Sequence, residues 1–226
     1  NNIISKKILY WYDNNKRSLP WRSKCSLRQK EYYTLVSEFM LQQTQVKTVI
    51  PFFNNFLKNI PNIKSLSKVR ENKLLKQWKG LGYYSRAKNL KKSAKLIISN
   101  YKGRLPNDFE ELKKLPGIGD YTASAILAIA FNKDIIPLDG NIERLLKRIL
   151  NLKTEKEIEK KNLHKLKVFF GTSVRSSDYA QALMEMGALL CKPKKPYCDK
   201  CPITKNCLSF KKNDFKIKKK NIKIID

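Results

Sequence analysis

Four cysteines near the C-terminal end stand at Cys191, Cys198, Cys201 and Cys207, in the pattern C-x6-C-x2-C-x5-C. Four thiolates this close in sequence are ligands, able to close a 4Fe-4S cubane or a zinc site. Zinc sites usually show two short knuckles with a longer spacer between them. Here one short knuckle exists, Cys198 to Cys201, which favours a 4Fe-4S cluster with zinc as the alternative. Disulfides are the bland reading. They fit poorly with a lysine-rich chain that shows no secretory signal and leaves a fifth cysteine, Cys25, over. An intracellular setting follows, cytoplasm or nucleoid if the source is bacterial.

A second feature that can do chemistry is Leu115-Pro116-Gly117-Ile118-Gly119. Proline sets φ for a turn, and the two glycines open backbone conformations and close approaches that other residues lack. The amides at the start of the following helix could then hold a phosphate oxygen. An ordinary helical corner is the alternative, since Gly and Pro end many helices. Leu115 and Ile118 would anchor the turn to a core.

The charge balance points the same way. Lysine and arginine number 48 against 19 acidic residues, for a formal charge of +29 over 226 residues. Such an excess asks for a polyanion, most simply nucleic acid. Part of it belongs to the lysine-rich tail at 211–226, and part can reflect codon bias in a chain rich in Lys, Asn and Ile. Hydrophobic residues make up 42%, enough for a core. No apolar run is long enough for a membrane span.

The elements that must position these features read as all-α. Helices are expected at Ile3–Asn14, Glu31–Lys47, Val49–Asn59, Ser67–Lys79, Arg86–Tyr101, a short one after Asn107-Asp108, then Tyr121–Phe131, Asp139–Ile149, Glu155–Phe170 and Ser177–Leu190. No strand alternation or solenoid repeat is visible.

Taken together, the hairpin, Pro137-Leu138-Asp139-Gly140-Asn141 and the four-Cys loop resemble the helix-hairpin-helix DNA glycosylase superfamily. Three further stretches, Leu19-Pro20-Trp21-Arg22, Ser37 through Gln45 (SEFMLQQTQ) and Gly80 through Arg86 (GLGYYSR), are similar to the adenine DNA glycosylase (MutY) family. The likeness covers about residues 8–210. It implies two helical lobes with the DNA and base cleft between them. One lobe is a six-helix barrel at 25–137, with the helix-hairpin-helix at about 112–128. The other is a cluster lobe at 1–24 plus 138–210, followed by a basic tail or linker at 211–226. The implied partner is double-stranded DNA carrying an adenine mispair, bound by a monomer.

The resemblance also assigns roles. Glu38 lies among apolar helix neighbours, where burial raises a carboxyl pKa and keeps its proton. It would protonate the departing adenine and later activate water. Asp139 is an obvious helix N-cap, held ionised by helix amides, and would stabilise the sugar cation or capture it covalently. Tyr121 stands where endonuclease III-like relatives carry the lysine that attacks the sugar. A phenol cannot form that imine, so a monofunctional enzyme that leaves an abasic site is expected. Tyr121 and Asn141 would position Asp139 and the sugar. Gln43 and Tyr83 match wedge positions that fill the gap left by a flipped base, although Tyr83 could also be core. Trp21, Arg22 and Gln181 would line the adenine pocket, although Trp21 could equally be core. Leu115, Gly117 and Gly119 would grip the DNA backbone. The cluster would order its loop so that Lys192, Lys194, Lys195, Lys200 and Lys205 face phosphates. The single histidine, His164, argues against histidine-based catalysis. Family members normally carry a further C-terminal domain that reads 8-oxoguanine, whereas only the short basic tail follows Phe210 here.

Overall fold

The computed structural model of the protein describes residues 3–152 and 174–215, and every regular element among them is helical. In chain order these are α1 (Ile3–Asn15), a 3-10 turn (Pro20–Arg22), α2 (Leu27–Leu41), α3 (Val46–Asn59), α4 (Ile63–Lys68), α5 (Glu71–Trp78) and α6 (Ser85–Asn100). There follow α7 (Phe109–Lys113), α8 (Asp120–Phe131), α9 (Gly140–Ile149), α10 (Ser176–Leu189), two 3-10 turns (Cys198–Lys200 and Thr204–Asn206) and α11 (Leu208–Lys211). The expected helix at 155–170, with His164, and the tail from 216 onward lie outside the described residues. No helix among the described residues is long and apolar enough to cross a membrane.

Two compact units divide the chain: Arg17–Pro137, and Asn1–Lys16 together with Leu138–Asp226. The boundary falls at residue 17 and not at 25. Trp21 packs edge-on against Phe53 of α3, with 5.3 Å between ring centroids, and Leu19 is buried. Residues 17–24 therefore go with the helices they pack on.

In the unit Arg17–Pro137, α2 is the central element. Its start is fixed by a capping box. The Gln29 amide donates to the Ser26 hydroxyl at 3.3 Å, and the Ser26 amide donates to the Gln29 side chain at 3.0 Å. That moves the start four residues ahead of the expected Glu31. The helix ends at Leu41 because Gln43 turns to φ +57, so the expected helix 31–47 is cut short. α2 packs on α3, α6, α8 and the 3-10 turn. Polar Glu31, Thr34, Ser37 and Glu38 are consequently buried alongside Leu35, Val36, Phe39 and Met40. A helix covered on all sides needs no apolar stripe. Phe53, Phe56, Leu66, Leu74, Trp78, Leu90 and Ile126 complete the core around it, each contributing about 1.5–3 kcal/mol by burial.

The expected helix 67–79 is two helices. An Asn62–Ser65 capping box opens α4 early, and extended backbone at Val69 and Arg70 separates it from α5. The unit thus has seven helices where six were expected. Buried Glu31 accepts two bonds from Arg104 Nε at 3.1 Å and one from the Leu105 amide at 3.1 Å. With its lone pairs occupied, this carboxylate ties the loop after α6 to α2.

In the other unit, α10 packs on both α1 and α9, and α11 packs on α9. Ile8, Tyr12, Ile142, Leu145, Leu146, Leu183 and Met186 are buried. Close packing of α9 and α10 depends on Gly187, where a Cβ would lie 2.7 Å from both the Cβ and the carbonyl oxygen of Asn141. Arg175 joins the end of α1 to the start of α10, donating to Asp13 at 2.6 and 2.9 Å and to Asp178 at 2.8 Å.

Candidate functional site

The first part of the site belongs to the unit Arg17–Pro137. Glu38 sits in the last turns of α2 and is only 5% exposed. Its neighbour Phe39 supports the hairpin directly. A Cβ on Gly117 would stand 2.7 Å from the Phe39 ring and 3.0 Å from Asn89 Cβ, and Gly117 has φ +83. Both facts require glycine there. The Gln42 amide donates to the Gly117 carbonyl at 3.2 Å, and the Ser93 hydroxyl donates to the Pro116 carbonyl at 2.8 Å. Leu115 is buried beneath the turn, whereas Gly117 and Gly119 are exposed. Gly119 is the N-cap of α8 and provides no side-chain cap, so the first amides of α8 have no intrahelical acceptor. Asp120 follows at once and is paired with Lys113 at 2.8 Å. Tyr121 is half-buried in the first turn of α8.

Gln43 and Tyr83 stand in two turns of the same unit. Both side chains are exposed, and both residues have left-handed backbone, φ +57 and +48. Tyr83 is 62% exposed, which excludes the core reading for it. Trp21 is packed on Phe53, as described above, and half-buried Arg22 ends the 3-10 turn.

The second part belongs to the unit that contains α9 and α10. Asp139 is the N-cap of α9, as its Asp-Gly-Asn sequence implies. Its Oδ1 accepts the Ile142 amide at 2.7 Å, and its Oδ2 accepts the Asn141 side-chain amide at 3.0 Å. The chain of bonds continues. Arg144 donates to Asn141 Oδ1 at 2.8 Å, to the Gly187 carbonyl at 2.6 Å and to the Cys191 carbonyl at 2.8 Å. Burial lowers the Arg144 pKa, while Cys191 and Asp139 act to raise it. Gln181 is buried on α10 and donates back to the Ser177 carbonyl at 3.1 Å.

The four cysteines come together around one pocket, with Arg148, Leu145, Ile149 and Tyr197 in its wall. Arg148 holds the loop by donating to the carbonyls of Lys192 and Pro193, each at 2.6 Å, and to Cys191 Sγ at 3.4 Å. Thr204 donates to the carbonyls of Cys198 and Cys201. Burial pushes the Cys201 thiol up to about 11 and raises Cys198 and Cys207, with neighbouring cysteines adding to the rise in all three. Burial and the neighbouring sulfurs both disfavour ionised thiols here, a cost that a cationic centre bound among the four sulfurs would remove. Among the described residues no three His, Cys, Asp or Glu are placed to hold a single metal ion. Lys192, Lys194, Lys195, Lys200 and Lys205 are exposed on the same loop. Cys25 belongs to the other unit.

Sequence reasoning missed the residues that hold these parts in place: Gln42, Arg86, Ser93, Arg144 and Arg148. The i, i+3 spacing of Asn141 and Arg144 and the i, i+4 spacing of Arg144 and Arg148 on α9 were the available signals.

Residues 36–167 match the model of the HhH-GPD superfamily of base excision DNA repair proteins. The chain is 39% identical over 232 residues to the adenine DNA glycosylase of Buchnera aphidicola subsp. Schizaphis graminum (strain Sg), covering 99% of this chain and 65% of that protein. It is 37% identical to the adenine DNA glycosylase of Homo sapiens, covering 88% of this chain and 38% of that one. The chain thus spans less than two thirds of the length of these curated relatives. Among solved structures, a thermostable thymine-DNA glycosylase aligns with TM-score 0.78 at 27% identity, covering 93% of this chain and 96% of that one. Endonuclease III in a non-covalent DNA complex shares the fold, with TM-score 0.67 at 23% identity over 92% of this chain and 97% of that one. With the hairpin seated on α2 and the Asp139 cap on α9 already in view, the match over residues 36–167 identifies the chain as a member of the HhH-GPD superfamily of base excision DNA repair proteins.

Proposed function

We propose that this chain is a monofunctional adenine DNA glycosylase that binds duplex DNA, extrudes adenine mispaired with guanine or 8-oxoguanine, and hydrolyses its N-glycosidic bond. The observation that carries the reading is the contrast between two carboxylates. Glu38 is 5% exposed on a helix packed with apolar side chains, the setting of a proton donor. Asp139 accepts two hydrogen bonds at a helix N-terminus, the setting of a standing anion.

In this reading Glu38 gives its proton to a ring nitrogen of adenine. The electron pair of the breaking C1′–N bond leaves with the purine. Asp139 stabilises the cationic sugar. Glu38, now a carboxylate, takes a proton from the water that adds to C1′. Tyr121 offers no amine, so no imine forms and the strand stays intact. Gln43 and Tyr83 would fill the space of the flipped base. Trp21, Arg22 and Gln181 would line the adenine pocket, with Asn141 orienting Asp139. The α8 amides at Gly119 would take a phosphate oxygen. Adenine as the base is supported by the names of the relatives.

Cys191, Cys198, Cys201 and Cys207 would hold a 4Fe-4S cluster. All four line one pocket, and their spacing, with its single short knuckle from Cys198 to Cys201, supports a cluster over a zinc ion. When bound, its iron would neutralise the four thiolates. The chain's own part is to present the lysines of that loop to DNA phosphates.

The test uses duplexes with adenine opposite 8-oxoguanine, guanine or thymine, and with thymine opposite guanine. Alkali-revealed abasic sites at adenine opposite guanine or 8-oxoguanine, with no strand cutting before alkali, support the reading. Intact adenine in every duplex would overturn it, and excision of thymine alone would assign a thymine-mispair activity instead.

A further inference from the structure

One cation in the unit Arg17–Pro137 is built into the structure unlike any surface lysine. Arg86 is the second residue of α6 and is 6% exposed. One end nitrogen of its guanidinium shares its two N–H groups among the carbonyls of Phe39 (3.3 Å), Met40 (2.9 Å) and Gln42 and the Thr44 hydroxyl (3.1 Å). The other donates to the carbonyls of Leu81 and Gly82, each at 3.2 Å. The guanidinium carbon also lies over two rings, 5.7 Å from the Trp78 centroid and 5.4 Å from that of Tyr83.

These partners fall in two groups. Phe39, Met40, Gln42 and Thr44 are the end of α2 and the turn that follows, which surrounds Gln43. Leu81 and Gly82 are the turn that presents Tyr83. Each turn has an exposed non-glycine residue in left-handed backbone, a conformation that costs of order 1–3 kcal/mol and persists only where its surroundings over-determine it. A planar fork of donors can do this for two turns at once, and a single ammonium cannot. Trp78 adds a bond from its indole N–H to the Gly82 carbonyl at 3.1 Å.

The geometry points to Arg86 as the positioning residue for base extrusion: it clamps the two turns so that Gln43 and Tyr83 stand ready as one wedge. This rests on the reading of Gln43 and Tyr83 as the residues that enter the duplex. In this assignment Arg86 acts through the two turns it holds and not on the substrate itself. Because it also holds the carbonyls of Phe39 and Met40, it fixes the end of the helix that carries Glu38.

The test reads extrusion apart from chemistry. 2-Aminopurine, an adenine analogue that brightens when unstacked, is placed opposite guanine in a duplex whose sugar resists cleavage. Arg86→Lys is expected to lower the bound-state fluorescence change about tenfold, through loss of the bonds to one turn, with circular dichroism unchanged. In a Gln43→Ala/Tyr83→Ala background the same substitution should have less than about a twofold effect, because the clamp then has no wedge to hold. Unchanged fluorescence in Arg86→Lys overturns the proposal. So does an equal loss in both backgrounds, which is what a merely structural role would give. If Arg86→Lys fails to fold, Thr44→Val removes one of its contacts. A loss of about threefold, abolished in the wedge-free background, supports the proposal, and no loss overturns it. A wild-type protein that excises no adenine but brightens the probe refutes the proposed function and leaves Arg86 to be judged on the variants. A wild-type protein that brightens no duplex refutes the Arg86 assignment.

Discussion

The two helices that carry the candidate carboxylates are held by different physics. The helix that carries Glu38 is held by packing: α2 is buried by α3, α6 and α8, and Phe39 fills the place a Gly117 side chain would take. Around Asp139 the support is a relay of directed bonds, from Asp139 to Asn141, to Arg144, to the Cys191 carbonyl. A packed core tolerates loss of a polar group but not of fit. A hydrogen-bond relay tolerates neither a missing donor nor a loosened end. The same chain therefore has one side that should fail by overpacking and one that should fail by losing whatever orders its cysteines.

The sharpest way to break this contrast is Cys201→Ala. It should abolish visible absorbance and bound iron and cost several kcal/mol locally. Amide exchange should quicken across α9 and α10 while α2 and α8 keep their protection. Equal loss in both units would mean the contrast is false. Glu38→Gln comes next, with excision reduced about 10³-fold and a melting temperature within a few degrees of the parent. An active Glu38→Gln enzyme would remove the residue from its role.

Gly117→Ala should destabilise by about 2–4 kcal/mol, from strained backbone and the Phe39 contact together, as read by urea denaturation. A neutral result would show that the hairpin can move off α2. Gly187→Ala should cost about 1–3 kcal/mol and lower excision as well, since the added methyl pushes on Asn141. Arg144→Lys should be the mildest, about tenfold in excision or about 1.4 kcal/mol, with little change in melting. If Arg144→Lys unfolded the protein instead, the relay would be a stability element and not a positioning one.

Much of this was legible in the chain. The Asp139 cap was visible because Asp-Gly-Asn before an apolar-periodic run is a local signal, and the structure places its carboxylate on the Ile142 amide. The start of α2 was equally local, through Ser26 and Gln29, and was overlooked in favour of the apolar spacing that begins later. The end of α2 was not local. Gln43 takes positive φ because Arg86 and Thr44 hold the chain there, and nothing in Gln-Gln-Thr announces it. Arg86, Arg144 and Arg148 were hidden by composition. Among 48 lysines and arginines, a cation bound to main-chain carbonyls looks like any solvated one. Trp21 was ambiguous by nature, since an aromatic ring serves a core and a pocket wall equally well.

The turn at Pro116–Gly119 has the carbonyls of Pro116 and Gly117 occupied from within, by Ser93 and Gln42. What remains for a visitor is the start of α8, where no side chain caps the first amides. Main-chain amides meet a phosphate identically beside any base pair. A protein anchored this way could drift along a duplex without pausing for the letters it passes, and leave the choice of where to stop to whatever enters the stack.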